Sequence, residues 1–511
     1  MVKERLKGWL EISPAQLETY RITERYNLET NVIKNRIWMR ADPYELQEFY
    51  HQLPNDDVTF WGAVPVLGIR KIHSGLPALI VDTLTGITMR DMNGIKASEM
   101  AVQTEIDDIL KDNEFTETLK NAIQTCLYAG DGAFKISFDK SVSEKAIIEF
   151  FPADQVELVR TRGRLKEILF KTVYTHENKR YLLKERYGFG YIKYILADLT
   201  TGDPVELETI PETAALQDVA FAGYKEDAQG NVINKGTFMM ASFVKIYDSV
   251  KWKGRGSSIF DKKASAFDAF DEIISQWADA VRGGRAVSYI PENLIPHNPK
   301  TGQPIRMNAF DCRYVKTEAN GKETVADKIE VVQPEIKSAN YLESYISFLD
   351  ICLQGLISPS TLGIDTKKLD NAEAQREKEK TTLATRGNIV EMVQKAVPIL
   401  LNNVLKAMDV WSAKTVRDDV EISVNFGEYA SPSFEATVET IGKARTNGIM
   451  SIEAAVEEMY GDSKDEEWKS EEVKRLKEEQ GISEMNEPSI NNVDGFGSVD
   501  DDEVVEDDLA N

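Results

Sequence analysis

The residues of this chain that come nearest to catalytic spacing each lack a required partner. A phosphate-gripping loop needs glycine amides and a closing Gly-Lys-Ser/Thr, so that the lysine holds phosphate and the hydroxyl holds magnesium. Gly321-Lys322-Glu323 and Gly442-Lys443-Ala444 are the nearest strings, and both lack the hydroxyl. Gly188-Phe189-Gly190 is not a dinucleotide fingerprint, because no third glycine follows and its flanks read as strands. His51, His73, His176 and His297 show neither HExxH nor HxH spacing, which argues against a histidine metal site. Cys126, Cys312 and Cys352 have no CxxC spacing, so neither a zinc site nor a disulfide framework is expected, and a reducing compartment fits. Carboxylates are so abundant that some pair must meet in space, and abundance alone does not argue for a two-metal nuclease. No catalytic residue, cofactor or metal is therefore expected.

Charge narrows the partners. The 511 residues carry 61 Lys and Arg against 85 Asp and Glu, a net charge of -24, the wrong sign for a protein whose whole surface grips nucleic acid. Any DNA contact must be local. From Ser483 to Asn511 there are ten acidic residues and no Lys or Arg, and the poverty of large apolar groups predicts a disordered tail. Basic residues gather elsewhere: Lys251, Lys253, Arg255, Lys262 and Lys263 open one helical pattern, Arg282 and Arg285 close it, and Lys367-Lys368 sit in a later loop. The first group reads as a solvated face, with Arg282 favourable near a helix C-terminus. Lys367 and Lys368 are candidate DNA-channel residues, because a loop between two packed helices can project into a central opening.

The elements that must position these residues lie between Gly254 and Trp411. Phe260, Ala264, Phe267, Phe270, Ile274, Trp277 and Val281 recur at steps of three and four and form one helical stripe. Tyr341, Tyr345, Phe348, Cys352 and Leu356 form a second, ended by Ser358-Pro359. The two helices are expected to pack side by side through these residues. Between them, Tyr289-Ile290-Pro291 and the β-like runs 312–315 and 329–332 predict a hairpin-like module. Asp370 and Glu373 have capping-box spacing, and helical composition then runs to Trp411 through Gly387 and Pro398. Such a helix would be ~60 Å long, enough to span an assembly. Its first half, to Asn388, is nearly all polar, so a neighbouring subunit is its natural support.

The rest of the chain supplies cores. With 42% hydrophobic residues it can fill two to four domains at ~100–200 residues each. Asp42 before Pro43 predicts a capped helix start, residues 77–130 read as mainly helical, and six short β-branched or aromatic runs between 133 and 197 predict an antiparallel β-rich region. Residues 421–426 read as a returning strand, and Ser451 as an N-cap among late helices. The first ten residues carry four charges and no apolar run, so no signal peptide is expected, and no membrane span is either.

Several stretches in this order resemble the SPP1-like portal proteins of tailed bacteriophages, from about Asn31 to about Gly481. They are Asn35-Arg36-Ile37-Trp38, Glu45 to Tyr50, His73-Ser74-Gly75-Leu76-Pro77 with Ile80-Val81-Asp82, Ala129 to Ile136 and Pro152-Ala153-Asp154. The most specific are Lys253-Gly254-Arg255-Gly256-Ser257-Ser258-Ile259 running into Phe267 to Ser275, and Gly355 to Gly363 running into the long helix.

The resemblance implies a mainly helical α+β fold: an α/β wing (1–254), a two-helix stem (255–283 and 338–357), a small α/β clip (284–337) and a tunnel loop (358–369). A long helix and returning wing strand (370–430), a helical crown (431–481) and the acidic tail (482–511) follow. It implies a cyclic homo-oligomer, usually a dodecamer, at one capsid vertex. Double-stranded DNA would pass through it, and terminase, major capsid and scaffolding proteins, and head-completion or adaptor proteins would be its partners. The virion would be its location, with assembly in the host cytoplasm. A terminase subunit, or a head or tail structural protein that binds no DNA, is the alternative. The acidic balance fits a conduit in which DNA slides, since many phosphate contacts would hold it.

Overall fold

The period change near Gly130 marks the junction between helical and sheet layers of the first of two compact units, residues 1–429 and 430–511. The computed structural model describes residues 24, 26–52, 60–63, 69–227, 229, 232–284, 287–291, 297–303, 313–317, 330–364, 372–427, 434–461 and 466–479.

In the first unit, α1 (Leu28–Arg40) starts where Asn27 accepts from the Thr30 amide, and α2 (Pro43–His51) where Asp42 accepts from the Tyr44 amide. α3 (Leu76–Arg90) is apolar nearly all round and runs through the core, with Ile80, Val81 and Leu84 fully buried. β1 (Met92–Ala97), α4 (Met100–Asp112) and α5 (Phe115–Ala129) follow. The sheets begin with β2 (Asp131–Ser137), β3 (Ile147–Pro152), β4 (Val156–Thr161), β5 (Arg164–His176), β6 (Lys179–Gly188) and β7 (Tyr191–Asp198). Short β8 (Pro204–Val205), β9 (Val219–Ala220), β10 (Lys225–Glu226) and β11 (Val232–Asn234) lead to β12 (Ala241–Lys245). Strands β4 to β8 form one antiparallel sheet in sequence order, while β12 returns beside β2 in the order β12-β2-β3.

Helix α6 (Ala264–Gly283) leads to β13 (Val287–Pro291), β14 (Arg313–Thr317) and β15 (Glu330–Val332), and α7 (Ser338–Leu353) follows. This insert is not a hairpin. β13 is the middle strand, parallel to β14 and antiparallel to β15, because β14 lies far enough along the chain to allow a crossover. Helix α8 (Ala372–Trp411) is 40 residues long and continuous through Gly387 and Pro398. Ile389, Val393, Val397, Leu400, Leu401, Val404 and Leu405 make its buried stripe, packed on α3 and β12. β16 (Ile422–Phe426) then pairs antiparallel with β1, joining chain segments far apart in sequence.

The second unit contains α9 (Phe434–Thr446), α10 (Ile452–Tyr460) and α11 (Glu466–Glu479). Ser451 caps α10 by accepting from the Ala454 amide at 3.1 Å, and Tyr460 meets Trp468 edge-on at 4.9 Å between ring centroids. The segment 482–511 lies outside the described residues.

Candidate functional site at the root of the helical pair

The segment before α6 is fixed by a buried ion pair. Arg255 donates from Nε to Asp131 Oδ2 at 2.9 Å and from Nη2 to Asp131 Oδ1 at 2.7 Å, and its other hydrogens reach the carbonyls of Val156 and Ala153 at 2.8 and 2.7 Å. Burial pushes the Asp131 carboxyl up, and Arg255 and the Gly256 amide oppose that rise. Arg255 is thus internal structure and not part of the solvated face that its neighbours suggest. A Cβ on Gly256 would lie 2.1 Å from the Gly130 carbonyl oxygen, so the two chain segments touch through glycine.

One turn on, Asp261 ties this segment to α1. Its Oδ1 accepts from Asn31 Nδ2 at 2.8 Å and Asn35 Nδ2 at 3.0 Å, and its Oδ2 from Ser257 Oγ at 3.2 Å and the Ser258 amide at 3.0 Å. The helix itself begins at Ala264, four residues later than the stripe from Phe260 suggests. Phe260 precedes it, yet is fully buried and edge-on to Phe267, whose ring also meets Trp38.

A polar stripe runs beside the apolar one on α6. Asp268 accepts the Trp61 and Gly62 amides at 2.6 and 2.9 Å, Asp271 accepts the Ser74 amide at 2.9 Å, and Ser275 accepts the Ile72 amide at 2.9 Å. Lys71 closes this strap onto itself through the carbonyls of Trp61 and Gly62, both at 2.9 Å. Burial pushes the Asp268 carboxyl up to about 6 and that of Asp271 up to about 7, and holds the His73 imidazole down to about 4. His73 Nδ1 sits 3.2 Å from Asp271 Oδ2 and takes the Gly75 amide at 3.4 Å. A neutral ring with an acceptor at Nδ1 suits both contacts, with Asp271 supplying the proton.

The shafts of the two helices meet through rings. Phe270 and Tyr345 lie 5.1 Å apart, Trp277 stacks on Tyr341 at 6.2 Å with 5° between planes, and Trp277 meets Tyr345 edge-on at 6.3 Å. Ile274 and Phe348 are half-buried against the core. Val281 from the same predicted stripe is exposed. Helix α7 ends at Leu353, short of Ile357, because Gly355 turns left-handed, with φ +76°. Lys263 Nζ donates to the Ile351 carbonyl at 2.6 Å and binds that end of α7 to the start of α6.

Two threonines of the long helix anchor the chain where it leaves α7. Thr385 Oγ1 donates to the Leu356 carbonyl at 2.6 Å, the Ser358 amide donates to Thr382 Oγ1 at 2.9 Å, and the hydroxyls of Thr361 and Thr382 are 2.9 Å apart. Both threonines are buried, so the polar half of α8 has its own seam within the subunit. Helical spacing gives a faint signal for these contacts: Asp268, Asp271 and Ser275 each follow a residue of the apolar stripe, and Thr382 and Thr385 lead into Ile389 at steps of three and four. Lys367 and Lys368 lie outside the described residues, as does Cys312.

Among the described residues no cluster of three or more His, Cys, Asp or Glu side chains could hold a metal, and no described helix is long and apolar enough to cross a membrane. The arrangement positions two helices and the start of a loop. Residues 64–484 match the sequence pattern of a family described as phage portal protein, SPP1 Gp6-like. The chain belongs to that portal family.

Its α+β fold, with the helix–sheet–helix insert and the long helix, is the fold of a portal protein, a head–tail connector component of the virion. Two solved structures are similar to this portal chain at low identity. The neck of a native GTA particle, computed with C12 symmetry, is 12% identical over 74% of this chain and 88% of that chain, with a TM-score of 0.36. The neck of an empty GTA particle, computed with C6 symmetry, is 13% identical over 78% and 91%, with a TM-score of 0.35. Comparison with curated proteins gives no match.

Proposed function

We propose that this portal protein closes into a ring, a dodecamer, at one capsid vertex and serves as the conduit for double-stranded DNA during packaging and ejection. Membership of the portal family carries this reading. Helices α6 and α7 act as the stem, the β13–β15 insert as the clip that docks terminase and then head-completion or adaptor proteins, and residues 358–369 as the tunnel loop. Helix α8 joins stem to wing, α9 to α11 form the crown, and capsid and scaffolding proteins surround the ring in the host cytoplasm.

The stem supports closure. Leu342, Ile346 and Ile351 on α7 and Val281 on α6 remain exposed after the two helices have packed together. A head-to-tail interface that repeats by rotation covers them and closes. Negative-stain images of the purified protein should show rings with a central hole. Light scattering that finds only monomer over a wide concentration range would overturn this reading, and nucleotide turnover by the isolated chain would favour a packaging enzyme.

A further inference from the structure

Beside the start of α6 lies a cavity of about 380 Å³ that the conduit reading does not use. Lys34, Lys251 and Lys262 line it, together with Asn31, Tyr26 and Trp252. Lys34 is only 6% exposed, and its ammonium donates to Asn31 Oδ1 at 3.0 Å and lies over the Tyr26 ring at 5.3 Å. An ammonium has three N–H donors, and among the described residues the other two of Lys34 have no acceptor. Such a group is costly to bury unless something pairs with it.

The lining holds two carboxylates against three ammoniums. Asp261 has both oxygens occupied by four donors, and Glu24 lies 3.7 Å from Lys251. One positive charge is left over. Ala264 and Ser265, in the first turn of α6, also line the cavity, so the positive end of that helix dipole adds to the same field.

We propose that this cavity is an oxyanion site in which Lys34, with Lys251 and Lys262 at its rim, binds a phosphate group. The phosphate is either a free ion or a phosphodiester of a nucleic-acid backbone. An oxyanion supplies the acceptors that the buried ammonium lacks, and three ammoniums around one small cavity match its charge. Burial, with the neighbouring Lys251 charge, holds the Lys34 ammonium down to about 8, while Asp261 opposes that fall. Glu24, Tyr26, Lys251, Lys262 and Asp261 also face the cavity, and phosphate should leave as Lys34 loses its charge with rising pH.

The test is calorimetric titration of the full-length protein with inorganic phosphate, and separately with a short DNA duplex, at matched ionic strength in chloride. Lys34→Met and Lys251→Gln are compared with the wild type. Phosphate should bind the wild type, lose at least tenfold in affinity in Lys34→Met and severalfold in Lys251→Gln, and weaken as pH passes about 8. Competition between duplex and phosphate assigns the site to backbone phosphodiesters, and phosphate binding without competition assigns it to the free ion. The exposed position of Lys251 makes its variant informative even if Lys34→Met folds poorly. Absence of binding, or binding equal in the wild type and both variants, overturns the proposal, whatever rings the same samples form.

Discussion

His73 and Asp271 meet at 3.2 Å with their side chains only 2% and 7% exposed, a contact in which burial disfavours charge on both partners. The imidazole is held down to about 4 and the carboxyl pushed up to about 7, so between these two values the contact is a hydrogen-bonded neutral pair and not an ion pair. It fastens the strap that carries Ser74 to the root of α6.

Stability should therefore fall as pH rises from 5 to 8. A carboxyl whose folded value is raised contributes stability that is complete below its ordinary value and is lost as pH climbs through the folded one, about 6 for Asp268 and about 7 for Asp271. His73 acts oppositely, and its contribution, full above 6.5, is lost as pH falls through about 4. Asp271→Asn keeps an acceptor for the Ser74 amide and a donor for His73 without the charge. Urea melts should show the wild type losing up to about 3 kcal/mol relative to this variant between pH 5 and pH 8. Parallel curves would remove Asp271 as the source.

Breaking the Arg255–Asp131 pair by one partner should be severe. Arg255→Met leaves a buried carboxylate without its fork, and a loss of about 3–5 kcal/mol is expected from thermal or urea unfolding. Asp131→Leu together with Arg255→Met should cost less than the single changes sum to. Gly256→Ala should also fail, because its Cβ meets the Gly130 carbonyl oxygen.

How far the sequence carries this fold depends on where each residue's cover comes from. The β-branched and aromatic runs of β2 to β7 and the apolar stripe of α8 are legible because each element carries its own dense apolar signal. β1 is not: Met92–Ala97 contains Asn93 and Gly94, and it becomes a strand by pairing with β16, far along the chain. β12, which lies beyond the six runs, is likewise recruited by β2. The partners of the α6 carboxylates, Trp61, Gly62 and Ser74, lie in a stretch with no periodicity of its own, so spacing does not reveal them. Arg255 reads with its neighbouring lysines as solvated for a like reason: its partner Asp131 sits in another motif, and spacing along the chain cannot join them.

The Thr382 hydroxyl should matter for the loop that follows α7. Thr382→Val preserves shape but removes the hydroxyl that accepts from the buried Ser358 amide, at a cost of about 1–3 kcal/mol. Thr382→Ser should restore most of it. Hydrogen exchange at Ser358 should quicken in the valine variant and stay slow in the serine variant, whereas equal exchange in all three would show that the seam carries no load.

Lys367 and Lys368 bear on the conduit itself. Under the proposed assembly both stand on the tunnel loop, and a ring multiplies each by the subunit number, so weak, screened phosphate contacts sum to a positive collar in an otherwise acidic protein. Such a collar guides DNA without reading its sequence. Replacing both with glutamate should leave ring formation unchanged, because neither belongs to an apolar stripe of the stem, while packaged DNA length or retention falls. The competing arrangement has both lysines solvated on the loop's outer side or paired with Asp365 and Asp370. Proheads assembled with the double variant decide between the two: shortened or leaking genomes support the collar, and full-length, retained genomes return these lysines to an ordinary solvated surface.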